Sequence, residues 1–386
     1  MGVSIEEVKR AFEAVDPDTP VTQASSVPGS YNAITREWLE DVICRNVPGA
    51  QLQSFSLGEK DDGSSNRRRI FLQYNSIGEA AGLPSTVFCK AAETLGSRII
   101  LAIAETALGE VNFYNLVRPR LDIEAPKSRY AGYDPKTFAY FVMLDDMAGK
   151  VHFVDERDEV TWDQAQGLVR TLARLHSAFY ESAELGNAAL PFSSWPDCWN
   201  NIINGAPDFA RFCDEGFVAA RTVMPERLFG RRTEIWPATL RSVERHNQLP
   251  KCLLHSDVHW KNWYRTEAGE LGLTDWQLTT IGHWSRDFVF ATVTALTVEQ
   301  RRQWHADLLK LYIEEMRIRG VRGLEFDDAL LNVRQQLFTA LAFWTITLRP
   351  TDDMPDMQPE RSTYEFLRRM LTAIDDYDAL DAFEEA

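Results

Sequence analysis

Near residue 161 the hydrophobic pattern of this chain changes period, and that change limits the possible folds more than any other feature. Ahead of it, LQSFSLG (52–58) alternates polar and apolar residues, and RRRIFLQYN (67–75) follows a polar stretch, GEKDDGSSN. A period of two sends successive side chains to opposite faces of a strand. With Gly58 and Gly63 between them, the two segments predict a β-hairpin with a long tip. LPSTVFCKAAE (83–93), opened by Pro84, predicts a third strand. RYAGYDPKTFAYFVMLDDM (129–147) predicts a second hairpin, turned at Asp134-Pro135. Between them LGEVNFYNLV (108–117) has Leu108, Val111, Phe113 and Leu116 at helical spacing.

Beyond residue 161 the period is that of a helix. TWDQAQGLVRTLARLHSAFY puts Ala165, Leu168, Val169, Leu172, Leu175 and Phe179 on one face. Thr161 fits the N-cap, and Asp163 in the first turn suits the helix dipole. RRQWHADLLKLYIEEM and FDDALLNVRQQLFTALAFWTITL are the strongest of the later helical segments; LLHSDVH and GELGLTDWQ break the pattern. Upstream, TREWLEDVICRNV (35–47) predicts a helix capped by Thr35. The expected class is α+β, with two lobes. Residues 1–34 form a leader and irregular connector, 35–147 a small antiparallel-sheet lobe, and 148–386 a mainly helical lobe. A cleft between two such lobes is a common ligand site.

Composition narrows the function. The 386 residues are 45% hydrophobic, ample for a core. A formal net charge of −16 argues against nucleic acid as a partner, because neutralising phosphates needs clustered Lys and Arg. The one compact basic run, Arg67-Arg68-Arg69, is expected on a solvated loop or strand edge. Five cysteines, Cys44, Cys89, Cys198, Cys213 and Cys252, form no CxxC pair, which fits a reducing, cytoplasmic compartment. The N-terminus lacks the apolar stretch of a secretory signal, and no run of about 18 apolar residues predicts a membrane span.

The chemistry is concentrated in LLHSDVHWKN (253–262). In a strand, His255, Asp257 and His259 would share a face and could share a cation. They could equally be hydrogen-bonded loop residues. The wider context offers a third reading. Asp257 is followed by Asn262, and LTDWQ, with Asp275, comes thirteen residues later. One Asp can orient a hydroxyl and take its proton, while Asn and a second Asp can hold magnesium on a triphosphate. Magnesium prefers the oxygen ligands these residues supply over imidazole.

HSDVHWKN with LTDWQ resembles the catalytic and metal-binding loops of the aminoglycoside phosphotransferase and choline-kinase-like superfamily, nearest its ecdysteroid-kinase-like and bacterial branch. That superfamily shares the protein-kinase-like fold. Its catalytic loop reads His-Gly-Asp-x-x-x-x-Asn, and here the glycine is Ser256. The resemblance implies a nucleotide-binding first lobe and roles residue by residue. Asp257, Asn262 and Asp275 would be catalytic, the last two as magnesium ligands. His255 and Asp287, the latter in GHWSRDFVFA, would support the catalytic loop. Lys90 in LPSTVFCK would reach the nucleotide phosphates, held by Glu110 in LGEVNFYN. Backbone near Asp145 and Met147 in VMLDDM would face adenine. GEKDDGSSN stands where the phosphate-covering loop belongs; Ser64, Ser65 and Asn66 could donate to phosphate, whereas Asp61 and Asp62 would repel it unless turned outward. LARLHSAF resembles the first long helix of the second lobe.

The expected activity is therefore ATP- and magnesium-dependent transfer of a phosphoryl group to a hydroxyl of a small molecule. A kinase-like protein that binds nucleotide without catalysis is the alternative, and a metal-dependent hydrolase the third. Protein substrates are disfavoured, since no activation segment separates LTDWQ from the next helix. Trp195, Trp199, Trp236, Trp260, Trp263 and Trp344 would favour a bulky apolar alcohol, such as a sterol or polyketide, if they lined the site. Asp197, Asp208, Asp352, Asp353 and Asp356 would instead favour a cationic aminoglycoside or amino alcohol. PTDDMPDMQPERS is a loop over the substrate mouth or an exposed connector.

Overall fold

The computed structural model describes residues 3–206, 208–349 and 358–384. Two compact units divide it: residues 1–119 with 126–149, and residues 120–125 with 150–386.

The first unit is built on a five-stranded antiparallel sheet. Its strands are β1 (Leu52–Asp62), β2 (Asn66–Tyr74), β3 (Thr86–Ala91), β4 (Ser128–Asp134) and β5 (Ala139–Asp145), in the order β1-β2-β3-β5-β4. One face carries Ile70, Leu72, Val87, Cys89, Phe141 and Met143 into a core shared with Trp38, Leu39, Val42 and Ile43 of the helix Arg36–Ile43. Thr35 caps that helix, its hydroxyl accepting from the Trp38 amide. Residues ahead of it join the same core. Val21, Ala24 and Val27 pack against the cluster, and the Trp38 indole donates to the Ser26 carbonyl at 3.0 Å. Val8, on the helix Ile5–Glu13, is fully buried with Ala102 and Phe138.

The tip of the first hairpin is short, not long. β1 and β2 stay paired out to Asp62 opposite Asn66, which leaves a turn of Gly63, Ser64 and Ser65. Side chains extend the ladder where hydrophobic alternation has run out. Arg67 pairs with Asp61 at 3.1 Å, and the Arg68 guanidinium donates twice to the Gly58 carbonyl. Arg69 reaches Asp146 at 3.0 Å, so each residue of the basic run is engaged within its own unit.

The second unit is mainly helical. Thr161 caps the helix Trp162–Ala178 in a reciprocal capping box with Gln164, which satisfies two N-terminal donors at once. FDDALLNVRQQLFTALAFWTITL forms two helices, Phe326–Gln335 and Phe338–Ile346, where the pattern reads as one. The break falls at two buried glutamines. Gln335 donates to the Ala382 carbonyl, and Gln336 bonds Ser242 and His246, contacts that a straight helix would have to give up. Between the helices lie short strands: β6 (Val151–Phe153), β7 (Cys252–Leu254), β8 (Trp263–Thr266), β9 (Leu271–Leu273) and β10 (Thr280–Gly282). β10 pairs with β7, and β8 lies between β6 and β9. These strands present the polar loops that interrupt the helical pattern.

The core of this unit buries several histidines. Burial pushes His246 and His305 down to about 3 and also lowers His255, His259 and His283. These folded values lie below the unfolded value of about 6.5, so the unfolded chain binds more protons as the pH falls through that range. The stability is therefore complete above about pH 6.5 and is lost progressively below it. His246 and His305 should each cost about 2 kcal/mol at pH 5. Thermal unfolding should show a Tm about 5 °C lower at pH 5 than at pH 7.5. His246→Asn should flatten that dependence; an equal slope in the variant would show that other groups dominate.

All five cysteines are buried, and none is joined to another in a disulfide. Among the described residues, no helix is long and apolar enough to cross a membrane.

Candidate active site

The first unit brings Lys90 and Glu110 together. Lys90 points from β3, and Glu110 lies on the helix Thr106–Asn112. Nζ and Oε1 are 3.0 Å apart, with both side chains almost wholly buried. The hydroxyl of Tyr140, on β5, donates to the other carboxylate oxygen of Glu110. A buried ion pair is costly unless further hydrogen bonds satisfy it, and Tyr140 supplies one. The helix continues into a π-turn, Phe113–Val117, an arrangement frequent at functional sites.

Ser64 is exposed at the hairpin tip, whereas Ser65 is buried and its carbonyl accepts from Gly63. The Asn66 side chain is committed internally. It donates to Asp62 and accepts from the Glu93 amide and the Ser97 hydroxyl. Asp61 is exposed and paired with Arg67. Asp145 ends β5; its amide donates to the Lys127 carbonyl and its carboxylate accepts from Arg129 at 2.6 Å. Met147 follows, half-buried.

The second unit collects the rest. His255, Ser256 and Asp257 leave the end of β7, and the chain reaches Asn262 through one turn, Trp260–Asn262. The carboxylate of Asp287, on the helix Ser285–Ala295, accepts both the His255 amide at 2.7 Å and the Ser256 amide at 3.0 Å. His176 lies 3.4 Å from the same carboxylate and bonds the Tyr312 hydroxyl at 2.8 Å through its other nitrogen. Burial alone would raise the Asp287 pKa. The hydrogen bond and charge of His176, with Arg286, outweigh it and leave the group below its ordinary value.

His255 does not converge with Asp257 and His259 on a cation. Its Nδ1 accepts from the Asp257 amide at 3.1 Å, and its Nε2 donates to the Thr274 carbonyl at 2.9 Å. Both nitrogens are thus used, the tautomer is set, and burial keeps the ring neutral. His259 is buried against Phe290, Trp344 and Phe366, with Nε2 3.6 Å from an Asp257 oxygen. Among the described residues, no group of three or more His, Cys, Asp or Glu side chains could hold a metal ion.

Asp257 itself is about one-third exposed. The Asn262 amide donates to the Asp257 backbone carbonyl at 2.7 Å and to its carboxylate at 3.2 Å. That orientation reserves the amide oxygen of Asn262 as an acceptor for another group. The backbone of the next loop is tied in as well, because the Thr274 amide donates to the Asn262 carbonyl at 2.8 Å. Asp275 follows in a left-handed conformation, φ 62°, and opens the turn Trp276–Leu278. Ser256 is also left-handed, φ 67°, which costs a non-glycine residue roughly 1–2 kcal/mol.

Arg286 carries no signal in the linear sequence, yet it lies beside the loop. Its guanidinium is fully buried over the Trp195 ring, 3.6 Å from the centroid, and donates to the Ser256 carbonyl; burial lowers its pKa to about 10. Tyr140 and His176 likewise carry no local signal. Among the tryptophans of the helical unit, Trp195, Trp199, Trp260, Trp263 and Trp344 are buried and Trp236 is half-buried. Asp197 accepts from Ser194, its helix cap, and Asp208 is exposed and paired with Arg211. Asp352, Asp353 and Asp356, like residues 350–357 as a whole, lie outside the described residues.

The sheet unit and the helical unit together have the protein-kinase-like fold. The microcompartment-associated aminopropanol kinase is similar to the chain at 17% identity and a TM-score of 0.51, over 85% of this chain and 94% of that one. A choline kinase from Streptococcus pneumoniae (12% identity, TM-score 0.46, 84% and 94% covered) is more distant. So is a spectinomycin phosphotransferase solved with ADP and spectinomycin (11%, 0.44, 85% and 94%). Likeness at these identities speaks for the fold alone, and it rests on the first of the three. No curated protein matches the chain significantly. The sequence profile of the phosphotransferase enzyme family matches residues 87–324, more than half of the chain. The chain belongs to that family, within the aminoglycoside phosphotransferase and choline-kinase-like superfamily.

Proposed function

We propose that this chain transfers the γ-phosphoryl group of ATP, with magnesium, to a hydroxyl of a small molecule. The observation that carries the reading is the Asp257–Asn262 arrangement. One side chain holds an exposed carboxylate edge at the loop surface, and the other is turned so that its amide oxygen is left to accept. That oxygen and the Asp275 carboxylate are hard donors suited to magnesium. The ion would neutralise charge on the phosphate oxygens.

In this reading Asp257 orients the acceptor hydroxyl and takes its proton as the oxygen attacks the γ-phosphorus, while the bond from that phosphorus to the bridging oxygen breaks and ADP leaves. His255 and Asp287 hold the loop through its amides, so Asp257 starts from a fixed direction. Lys90 supplies positive charge to the nucleotide phosphates, and Glu110 with Tyr140 keeps its ammonium in place. Asp145 and Met147 would offer backbone to adenine. For the tip, the geometry favours Ser64, which is exposed, over Ser65 and Asn66, which are engaged within the fold.

Thermal unfolding tests the nucleotide part directly. ATP with magnesium should raise Tm by several degrees, corresponding to about 2.7 kcal/mol at a hundredfold excess over Kd. ATP alone or magnesium alone should raise it much less. Asp275→Asn should remove most of the magnesium-dependent part. An unchanged Tm at millimolar ATP and magnesium would overturn the reading. A shift without phosphoryl transfer to any alcohol would favour a nucleotide-binding protein without catalysis.

A further inference from the structure

Where the family's catalytic loop carries glycine, this chain carries Ser256, and the structure gives that side chain a partner. Its hydroxyl lies 2.6 Å from the hydroxyl of Thr280, on β10. Both residues are almost wholly buried. We propose that Ser256 and Thr280 are positioning residues, a hydroxyl latch that ties the loop bearing Asp257 to the strand following Asp275. The proposal rests on the reading of those two carboxylates given above.

Three features support it. First, a left-handed residue with a side chain is disfavoured over glycine, and it persists where its surroundings over-determine it. At Ser256 every polar group is engaged. The amide donates to Asp287, the carbonyl accepts from Arg286, and the hydroxyl meets Thr280. Second, the latch extends an existing pairing. Thr280 stands opposite Leu254 in the β7–β10 ladder, and Ser256 lies two residues beyond Leu254. Third, the bond sits away from water, where a hydroxyl pair is electrostatically stronger than at the surface. Releasing it would let the loop leave its left-handed conformation and swing Asp257, the next residue. Displacements of about 1 Å at a reacting group can cost about a hundredfold in rate.

Ser256→Ala, Thr280→Val and the double variant test this, each with kinetics and with amide hydrogen exchange of residues 255–258. Each single substitution should lower kcat about tenfold or more while KM for ATP stays within about twofold. The double variant should be no slower than the slower single one, since both remove one bond. Thr280→Ser, which keeps the hydroxyl, should restore kcat. Exchange of the Asp257 amide, held by the His255 ring, should quicken in Ser256→Ala. If that protein fails to fold, Ser256→Gly takes its place, because glycine meets the backbone requirement and lacks the hydroxyl. Unchanged kcat with a lowered Tm, or multiplicative losses in the double variant, overturns the latch. Faster exchange in a chain whose wild type transfers no phosphate would uphold the latch and remove the functional reading. A wild type that transfers phosphate, with variants altering neither kcat nor exchange, would do the reverse.

Discussion

Asp257→Asn should lower kcat about a thousandfold and leave Tm within about 2 °C of wild type. The carboxylate is partly exposed, and among the described residues its side-chain hydrogen bond comes from Asn262 at 3.2 Å. An amide of the same shape can still accept that bond through its oxygen, so the loop has little reason to move. It cannot take a proton at neutral pH, and positioned proton transfer contributes on the order of 10²–10⁴ in rate. KM for ATP should change by less than about threefold, because the lost interaction belongs to the transition state. Steady-state kinetics with melting curves on the same preparations check this. A variant within threefold of wild-type kcat would remove Asp257 from the chemistry. A large fall in Tm would reassign it to structure.

Asp287→Ala should have the opposite profile, with stability falling first. The carboxylate is fully buried, accepts two loop amides, and sits beside Arg286 and His176. Truncation leaves two amides without their acceptor and a buried guanidinium without its neighbouring counter-charge. Removing one member of a buried charged network costs about 3–5 kcal/mol. At this chain length that corresponds to a Tm lowered by roughly 5 °C. Activity should fall too, through a loosened loop. Asp287→Asn, which keeps one acceptor oxygen, should lose less of both. A Tm within 2 °C of wild type in Asp287→Ala would show that the loop amides find other acceptors.

The two variants separate chemistry at the loop surface from the buried support beneath it, and the sequence exposes these unequally. Period-two and helical patterns make the sheet and the long helices readable, because Ile70, Leu72, Leu168 and Leu172 must face a core. Thr35 and Thr161 are readable as caps because the capping hydroxyl acts within three residues of itself. The hairpin tip misleads, because Arg67 and Arg68 extend the ladder through charge and a carbonyl contact that hydrophobic alternation does not register. The break between Gln335 and Phe338 is hidden for a similar reason: its cause is partners up to 94 residues away. At the candidate site, Asp257, Asn262 and Asp275 are proposed from spacing and resemblance. Arg286, Tyr140 and His176 act through contacts 30 or more residues distant, and a linear pattern carries no trace of those. Ser256 left a faint signal, since a glycine in the family's motif hints at a left-handed backbone.

Acceptor-dependent ADP release is the decisive measurement of phosphoryl transfer to an alcohol. Purified chain, ATP and magnesium would be presented with a panel of hydroxylated compounds: amino alcohols, aminoglycosides, sterols and polyketides. The account predicts that at least one acceptor raises ADP release well above the background without acceptor, with one phosphorylated hydroxyl formed per ADP. It also predicts that Asp257→Asn abolishes the increase. ADP release that no acceptor stimulates, and that Asp257→Asn leaves unchanged, would contradict it.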